Sequence, residues 1–116
     1  MLQREKIIIY ICVLIMVLGQ VIFKQVALNY NRAGSLLSWS VLGLGSVGIV
    51  LYGLSTLLWI VVLQTVPISK AYPFFALGFV LIPLAGVLFF GESIFISQYV
   101  GITLIIAGIA CIGVAP

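Results

Sequence analysis

Charged residues interrupt an otherwise apolar chain at only a few points and divide it into four long uncharged runs. The runs extend over residues 7–23, 33–69, 71–91 and 93–116. Each run supplies the roughly 20 residues that a helix needs to cross a bilayer. We therefore predict four transmembrane helices joined by short connections, so that neighbouring helices are antiparallel. They extend over about residues 7–28, 41–64, 70–90 and 95–114.

The runs are continuously apolar and do not alternate, which favours helices over barrel strands, because a helix satisfies its own backbone hydrogen bonds in lipid. The predicted fold class is an all-α, four-helix antiparallel bundle that forms one transmembrane domain over residues 1–116. Composition agrees, since 65% of the residues are hydrophobic and 6% are charged, with a mean hydropathy of +1.43. The basic start of the chain is predicted to be retained, because no cleavage site of a secretory signal follows it.

Five basic residues predict the orientation of the bundle. Arg4, Lys6 and Lys70 fall on the side of the N-terminus, whereas Arg32 and Lys24 fall toward the opposite side. The positive-inside rule therefore predicts that the N-terminus lies in the cytoplasm. The net charge of +3 suits lipid headgroups. No nucleic-acid partner is expected, since no basic stripe alternates with exposed aromatic residues.

A polar line lies near the end of the first helix. Gln20 and Lys24 share a face because they are four residues apart, and the polar run Asn29–Arg32 is predicted to be the following loop. Lys24 lies roughly 10 Å from the membrane midplane. Two interpretations stay open. Either its stem reaches the surface as an anchor, or its ammonium meets an anion such as a lipid phosphate.

Other polar and aromatic residues are candidates for a binding site, although each has a simpler structural explanation. Gln20, Gln25 and Gln64 suit sugar hydroxyls or helix contacts, and Trp59 and Tyr72 suit a cavity or an aromatic belt.

The remaining charges have structural explanations as well. Lys70 is explained as an orientation charge. Glu92 is explained as an interfacial residue or the N-terminal cap of the fourth helix, in preference to a proton carrier.

Proline and glycine positions predict bending and packing. Pro83 removes a hydrogen bond inside the third helix, so it is predicted to bend that helix and act as a gate. The row Gly45, Ile49 and Gly53 predicts a packing surface on the second helix. Gly101 and Gly108 share a face of the fourth helix, which either dimerises or packs within the bundle.

Catalysis and metal binding are not indicated. The chain has no histidine and two carboxylates, and it contains no nucleotide loop and no zinc spacing. Cys12 and Cys111 are predicted to be buried free thiols. We expect neither an enzyme nor a metal or other cofactor.

Several short motifs form a distinctive set across the chain. They are Gly19-Gln20, Lys24-Gln25, Leu63-Gln64-Thr65-Val66-Pro67-Ile68-Ser69, Ala71-Tyr72-Pro73, Leu77, Phe79-Val80, Leu84-Ala85, Glu92, Gly101 and Gly108. This set resembles the small four-helix subunits of the aminoarabinose-phosphoundecaprenol flippase. Those subunits belong to the drug/metabolite transporter superfamily, together with the small multidrug resistance exporters. The resemblance covers nearly the whole chain.

The resemblance implies a transporter in a bacterial inner membrane that moves an undecaprenyl phosphate-linked sugar along a groove at a dimer interface, in contact with membrane lipids. The dimer would contain two copies or one copy and a related four-helix subunit. Lys24 would neutralise the phosphate, Gln20, Gln25 and Tyr72 would hydrogen-bond the sugar, and bending at Pro83 would alternate access. The predicted substrate-binding set is completed by Gln64, Trp59, Lys70 and Glu92.

Two departures bear on the substrate. Multidrug exporters bind cations and protons through a glutamate in the middle of helix 1, whereas Leu14-Ile15-Met16-Val17 contains no acid. This argues against a proton-coupled cation exporter. Lys70 is an extra charge relative to the flippase pattern and indicates a different headgroup.

Two alternatives remain. The first is an exporter of a small metabolite or cation, for which Glu92 is taken as the carboxylate. The second is an accessory subunit that does not itself transport.

Overall fold

The computed structural model describes residues 3–34 and 38–113, and the regular structure of these residues is entirely helical. The elements are α1 (Gln3–Ala33), α2 (Trp39–Leu63), α3 (Ile68–Ala71), a 3₁₀ segment (Tyr72–Leu77), α4 (Gly78–Phe90) and α5 (Ile96–Gly113). Because α3, the 3₁₀ segment and α4 follow one another, they form one span, Ile68–Phe90. Within the described ranges, four spans are long and apolar enough to cross a membrane. The predicted all-α membrane fold class is confirmed. The predicted end of the last helix at residue 114 lies outside the described residues.

The first helix continues through the polar run at residues 29–32, where a loop is predicted, so that prediction is wrong. At 1.5 Å per residue its 31 residues extend about 46 Å, beyond the roughly 30 Å hydrocarbon core. Gln25 Nε2 donates to Asn29 Oδ1 at 2.9 Å and stabilises this last part of the helix. The helix stops at Gly34, whose φ is 69° and whose N–H donates to the Tyr30 carbonyl at 2.7 Å.

The main apolar core lies where α1 begins and α2 ends. It joins three residues of α1 to residues of α2, the following turn and the third span. Its buried members are Ile9, Val13, Val17, Val62, Val66, Ala71 and Phe74. The core therefore fastens α1, α2 and the third span to one another at one end of the molecule.

The α1–α2 contact is built from two reciprocal pairs of a glycine and an aromatic ring. A Cβ at Gly48 would lie 2.6 Å from Phe23 Cε1, and a Cβ at Gly19 would lie 2.8 Å from Tyr52 Cδ2. The rings of Phe23 and Tyr52 stack on each other with centroids 5.3 Å apart. Each glycine thus provides the space for the other helix's ring.

The buried face of α2 differs from the predicted one. Its buried residues are spaced by seven and are Val41, Gly48, Ser55 and Val62. On the predicted row, Ile49 is 68% exposed, and a Cβ at Gly45 or Gly53 would meet open space. The prediction of that row as a packing surface within the chain is wrong. Small residues occur on both faces of α2, and the face that is buried is the one on which Gly48 receives the Phe23 ring of α1.

The two cysteines differ in their surroundings. Cys12 is fully buried, and its Sγ lies 3.1 Å from the Ser55 carbonyl oxygen. In return, the Ser55 hydroxyl donates to the Cys12 carbonyl at 3.1 Å. Cys111 is exposed on α5, so its predicted burial is wrong for this chain. The Cys12–Ser55 pair therefore joins α1 to α2 inside the bundle.

The third span is not one continuous α-helix. The 3₁₀ segment Tyr72–Leu77 interrupts it, with a proline at its start, and Pro83 lies inside α4. Short 3₁₀ stretches within helices have poorer hydrogen-bond geometry, and Pro83 removes one backbone donor from α4. The span therefore has two weakened points.

The last helix is the least packed element. No residue of α5 is buried, and it contacts mainly the 3₁₀ segment and α4. A Cβ at Gly101 or Gly108 would meet no atom within 4 Å. Of the two interpretations of these glycines, packing within the bundle is therefore not what the structure shows.

Candidate functional site

A cavity of about 200 Å³ lies between the second half of α1 and the end of α4. We call it the polar cavity. Its polar lining comes from Gln20, Lys24 and Glu92, and its apolar lining includes Ile82 and Ala85. Ligand cavities for drug-sized molecules are roughly 300–1,000 Å³. The polar cavity therefore suits a headgroup better than a whole lipid.

The charged groups of the polar cavity form an ion pair. Lys24 Nζ lies 3.5 Å from Glu92 Oε2, and the two side chains are 46% and 50% exposed. Such half-exposed pairs contribute only about 0–1 kcal/mol to stability, because water and ions screen them. A ligand can therefore open this pair at little cost.

Glu92 reaches Lys24 because of the turn that ends α4. Gly91 has a left-handed backbone with φ of 65°, and its N–H donates to the Gly86 carbonyl. The N–H of Glu92 donates to the same carbonyl at 3.2 Å. A side chain at position 86 would collide with the Glu92 carboxylate. Gly91 thus turns the chain back, and Gly86 leaves room for the carboxylate.

The interpretation of Glu92 as the cap of the last helix is wrong. That helix, α5, begins at Ile96, and the backbone N–H of Phe95 is accepted by the Gln98 side chain at 2.9 Å. Glu92 therefore faces the polar cavity from the connection that precedes α5.

Gln20 is oriented by a residue that the sequence does not single out. Its Nε2 donates to the Tyr52 hydroxyl of α2, and the Tyr52 ring stacks on Phe23. In the sequence, the one feature that marks Tyr52 is that it is a single tyrosine within the apolar helix α2. The pairing itself depends on how α1 and α2 pack.

A second cavity, of about 390 Å³, lies between α1, α2 and the third span. We call it the aromatic cavity. Its lining includes Met16, Trp59, Tyr72 and Phe75, and Ile82 lines both cavities. The ring centroids of Trp59 and Phe75 are 4.3 Å apart, and those of Tyr72 and Phe75 are 5.7 Å apart. The two cavities are therefore neighbours along α1 and α4.

The predicted site residues divide into three groups. Gln20, Lys24 and Glu92 meet in the polar cavity, and Trp59 and Tyr72 meet in the aromatic cavity.

The third group lines neither cavity. Gln25 bonds along its own helix, Gln64 is the exposed C-terminal cap of α2, and Lys70 is exposed on α3.

Glu5 is a buried carboxylate that the sequence-based interpretation overlooked. It is 8% exposed, and the Thr65 hydroxyl donates to its Oε1 at 2.8 Å. Its position between Arg4 and Lys6 resembles an ordinary charged flank, so the local sequence gives no signal of burial. This contact places the start of α1 beside the α2–α3 connection. Arg4, Lys6 and Lys70 therefore lie at the same end of the molecule.

The arrangement can bind a small polar group through opposite charges. An ammonium and a carboxylate lie at one cavity beside a carboxamide, and an uncharged aromatic cavity continues toward the middle of α1. Met16, near the centre of that helix, lines the aromatic cavity. The site thus combines a charged end with an apolar interior.

Comparison with known proteins gives one family and a consistent set of relatives. The family model described as Small Multidrug Resistance protein matches residues 8–105. A relative from Enterobacter sp. (strain 638) is 43% identical over 82% of this chain and 83% of its own length. One from Sodalis glossinidius is 35% identical over 93% and 96%, respectively. Both are named probable 4-amino-4-deoxy-L-arabinose-phosphoundecaprenol flippase subunit ArnE. No solved structure matches the chain.

Proposed function

The chain belongs to the Small Multidrug Resistance protein family, and on that basis we propose that it is a transporter subunit for a polyprenyl phosphate-linked sugar. In this proposal, the protein resides in the bacterial cytoplasmic membrane. The observation that carries this proposal is the position of Lys24 at a headgroup-sized cavity, in the second half of a membrane-spanning helix. The names of the relatives support the same substrate class.

Lys24 binds the phosphate. Its long side chain can extend the ammonium toward the lipid headgroups, and its partner Glu92 is only half-buried. A phosphate can therefore compete for the ammonium without leaving a buried, unpaired charge. Lys24 thus serves as a binding residue in addition to its interfacial position.

The sugar occupies the polar cavity and the tail stays in the lipid. Gln20, oriented by Tyr52, hydrogen-bonds the sugar. Trp59 and Tyr72 in the aromatic cavity line the route on which the sugar passes the middle of the membrane. Gln25, Gln64 and Lys70 have no contact with the substrate in this proposal.

Movement of the third span changes access to the cavities. The 3₁₀ segment Tyr72–Leu77 and Pro83 are the weakened points of that span. Bending at either point shifts Ile82, which lines both cavities. The proposed motion therefore changes the shape of both cavities together.

The working unit is a dimer, either of two copies or with a related four-helix subunit. The exposed helix α5 and its open glycine row at Gly101 and Gly108 support this proposal. Small residues on a lipid-facing helix allow close helix–helix contact. In the dimer, the partner completes the groove on the open side of the cavities.

The proposed orientation has the N-terminus in the cytoplasm. Arg4, Lys6 and Lys70 share one end of the bundle with the Glu5–Thr65 contact. Arg32 and Lys24 are toward the other end, and Lys24 is paired with Glu92. The positive-inside rule therefore favours the cytoplasm for the first end, which puts the polar cavity toward the outer leaflet.

The described cavities fit a cation exporter poorly, because Glu92, the carboxylate that lines the polar cavity, is already paired with Lys24. Met16 lines the aromatic cavity near the centre of α1, and a cation there lacks a counter-charge. Glu5 is buried, but it bonds Thr65 and lines neither cavity.

A proteoliposome experiment tests the function. The protein is reconstituted alone and with a related four-helix subunit, and transfer of a fluorescent short-chain polyprenyl phosphate-linked sugar is measured with an impermeant quencher. We expect the lipid to cross and a hydrophobic cation not to be taken up under a pH gradient. Cation uptake without lipid transfer contradicts the proposal. Lipid transfer that requires the related subunit supports the heterodimer and contradicts a self-sufficient homodimer.

A further inference from the structure

Glu92 is an unexpected neighbour for a phosphate-binding lysine. Its carboxylate lies 3.5 Å from Lys24 Nζ, and it competes with any anion for that ammonium. It also repels a phosphate at this distance. A cavity that bound only an anion would bind it better without Glu92.

The fold nevertheless holds Glu92 in place by two separate features. The left-handed turn at Gly91 directs the chain back toward α4, and the missing side chain at Gly86 leaves space that the carboxylate fills. Both features are local to the polar cavity. They indicate that the negative charge has a use at this site.

A ligand that carries both charges explains the pair. Its anionic group takes the place of Glu92 beside Lys24, and its cationic group takes the place of Lys24 beside Glu92. Each protein charge exchanges one partner for another, so neither is left without a counter-charge. Because both side chains are about half-exposed, they can separate to admit such a ligand.

We propose that Glu92 is the residue that selects the protonated amine of a headgroup whose phosphate is bound by Lys24. This inference rests on the proposed function for the phosphate contact at Lys24. Two membrane components have this chemistry, namely a phosphate-linked amino sugar and phosphatidylethanolamine. The cavity of about 200 Å³ accommodates the headgroup of either.

The test compares binding of two synthetic lipids in a neutral maltoside detergent. One is a farnesyl phosphate-linked aminopentose, and the other is the matching pentose with a hydroxyl in place of the amine. We expect the wild-type protein to prefer the amine about tenfold, the order expected for one hydrogen bond between charged groups. Glu92→Gln removes this preference by weakening aminopentose binding alone, whereas Glu92→Asp retains part of it.

Two other results overturn the proposal. If Glu92→Gln strengthens the binding of both lipids equally, Glu92 is only a competitor for Lys24. If the substitution weakens the binding of both lipids equally, Glu92 has a structural role. Thermal unfolding of each variant shows whether folding is intact. A wild-type protein that binds both lipids equally also overturns the proposal.

A competition arm separates the two sources of the ligand and keeps the two proposals distinct. Phosphatidylethanolamine is added to the aminopentose binding reaction. Weak competition supports the amino sugar as the ligand. If phosphatidylethanolamine competes as strongly as unlabelled aminopentose lipid, the result supports recognition of a phosphate and an amine but contradicts the sugar transport function. Selective binding of the aminopentose lipid without lipid transfer in proteoliposomes also contradicts the transport function.

Discussion

One glycine on α4 determines where the charge at the polar cavity lies. The Glu92 carboxylate occupies the space that a side chain at Gly86 would fill, and this position brings it to Lys24. The ion pair itself is weak because it is half-exposed. Its position therefore depends on the shape of the backbone more than on the attraction between the charges.

A substitution at Gly86 should have the same effect on lipid binding as removal of the Glu92 carboxylate. Gly86→Ala displaces the Glu92 side chain, so we expect preference for the amine-bearing lipid to fall several-fold, toward that of Glu92→Gln. This preference is measured by comparing the binding of the two farnesyl lipids to each variant. Gly53→Ala is the matched control, since a Cβ there meets open space. Unchanged preference in Gly86→Ala would contradict the proposed position of the carboxylate.

The buried carboxylate of Glu5 has a different, structural importance. Thr65 donates a hydrogen bond to it at 2.8 Å, so Thr65→Val removes one donor to a buried charge. We expect the free energy of unfolding to fall by about 1–3 kcal/mol, measured by denaturation in detergent micelles. Thr56→Val is the control, because Thr56 is exposed and bonds only along its helix. Equal effects in the two variants would show that the Glu5 contact has no special weight.

At the scale of the helices, α1 and α2 are held by close contact between glycines and rings. Gly48 lies under Phe23, and Gly19 lies under Tyr52. The same contact orients Gln20 through the Tyr52 hydroxyl. Packing of these two helices therefore determines part of the candidate site.

A larger side chain in this contact should separate the helices. Gly48→Leu drives atoms into the Phe23 ring, and we expect a loss of about 1–3 kcal/mol in the free energy of unfolding. Gly43→Leu makes the same change on the same helix where a Cβ meets nothing within 4 Å, and it should be nearly neutral. Thermal unfolding in detergent compares them. If Gly43→Leu is destabilised as much as Gly48→Leu, the loss of stability comes from the replacement of a helical glycine and not from contact with Phe23.

The sequence predicts some of these elements and not others, for physical reasons. Long uncharged runs are sufficient for the four spans, and the spacing of Gln20 and Lys24 is sufficient for a shared face. The sequence does not indicate that α1 continues through residues 29–32, because polar residues end the apolar signal without ending the helix. It does not indicate the contacts of Glu92 and Tyr52 either, because these join distant parts of the chain and only packing determines them.

At the scale of the whole molecule, the last helix, α5, packs only loosely against the rest of the described chain. None of the residues of α5 is buried, in contrast to the other spans. A polar cavity of about 200 Å³ also holds only part of a lipid-linked sugar. Both observations support a working unit with more than one copy or subunit.

The dimer proposal predicts an effect of α5 substitutions on oligomeric state. The double variant Gly101→Leu and Gly108→Leu fills the open glycine row, so we expect dimer dissociation to increase at least tenfold, because close helix contact is lost. Light scattering in detergent across a dilution series measures it. Ile106→Phe adds volume on another face of α5 and should leave the dimer intact. A stable dimer in the double variant would place the interface elsewhere.

The most direct test of the phosphate contact is lipid transfer by Lys24→Ala in proteoliposomes, compared with Arg32→Ala. Both variants remove a cation from the same half of α1, but Arg32 does not line the polar cavity. We predict that Lys24→Ala lowers transfer of the phosphate-linked sugar at least tenfold, whereas Arg32→Ala retains it and Lys24→Arg retains part of it. Wild-type transfer by a correctly folded Lys24→Ala protein would contradict the assignment of Lys24 as the phosphate-binding residue.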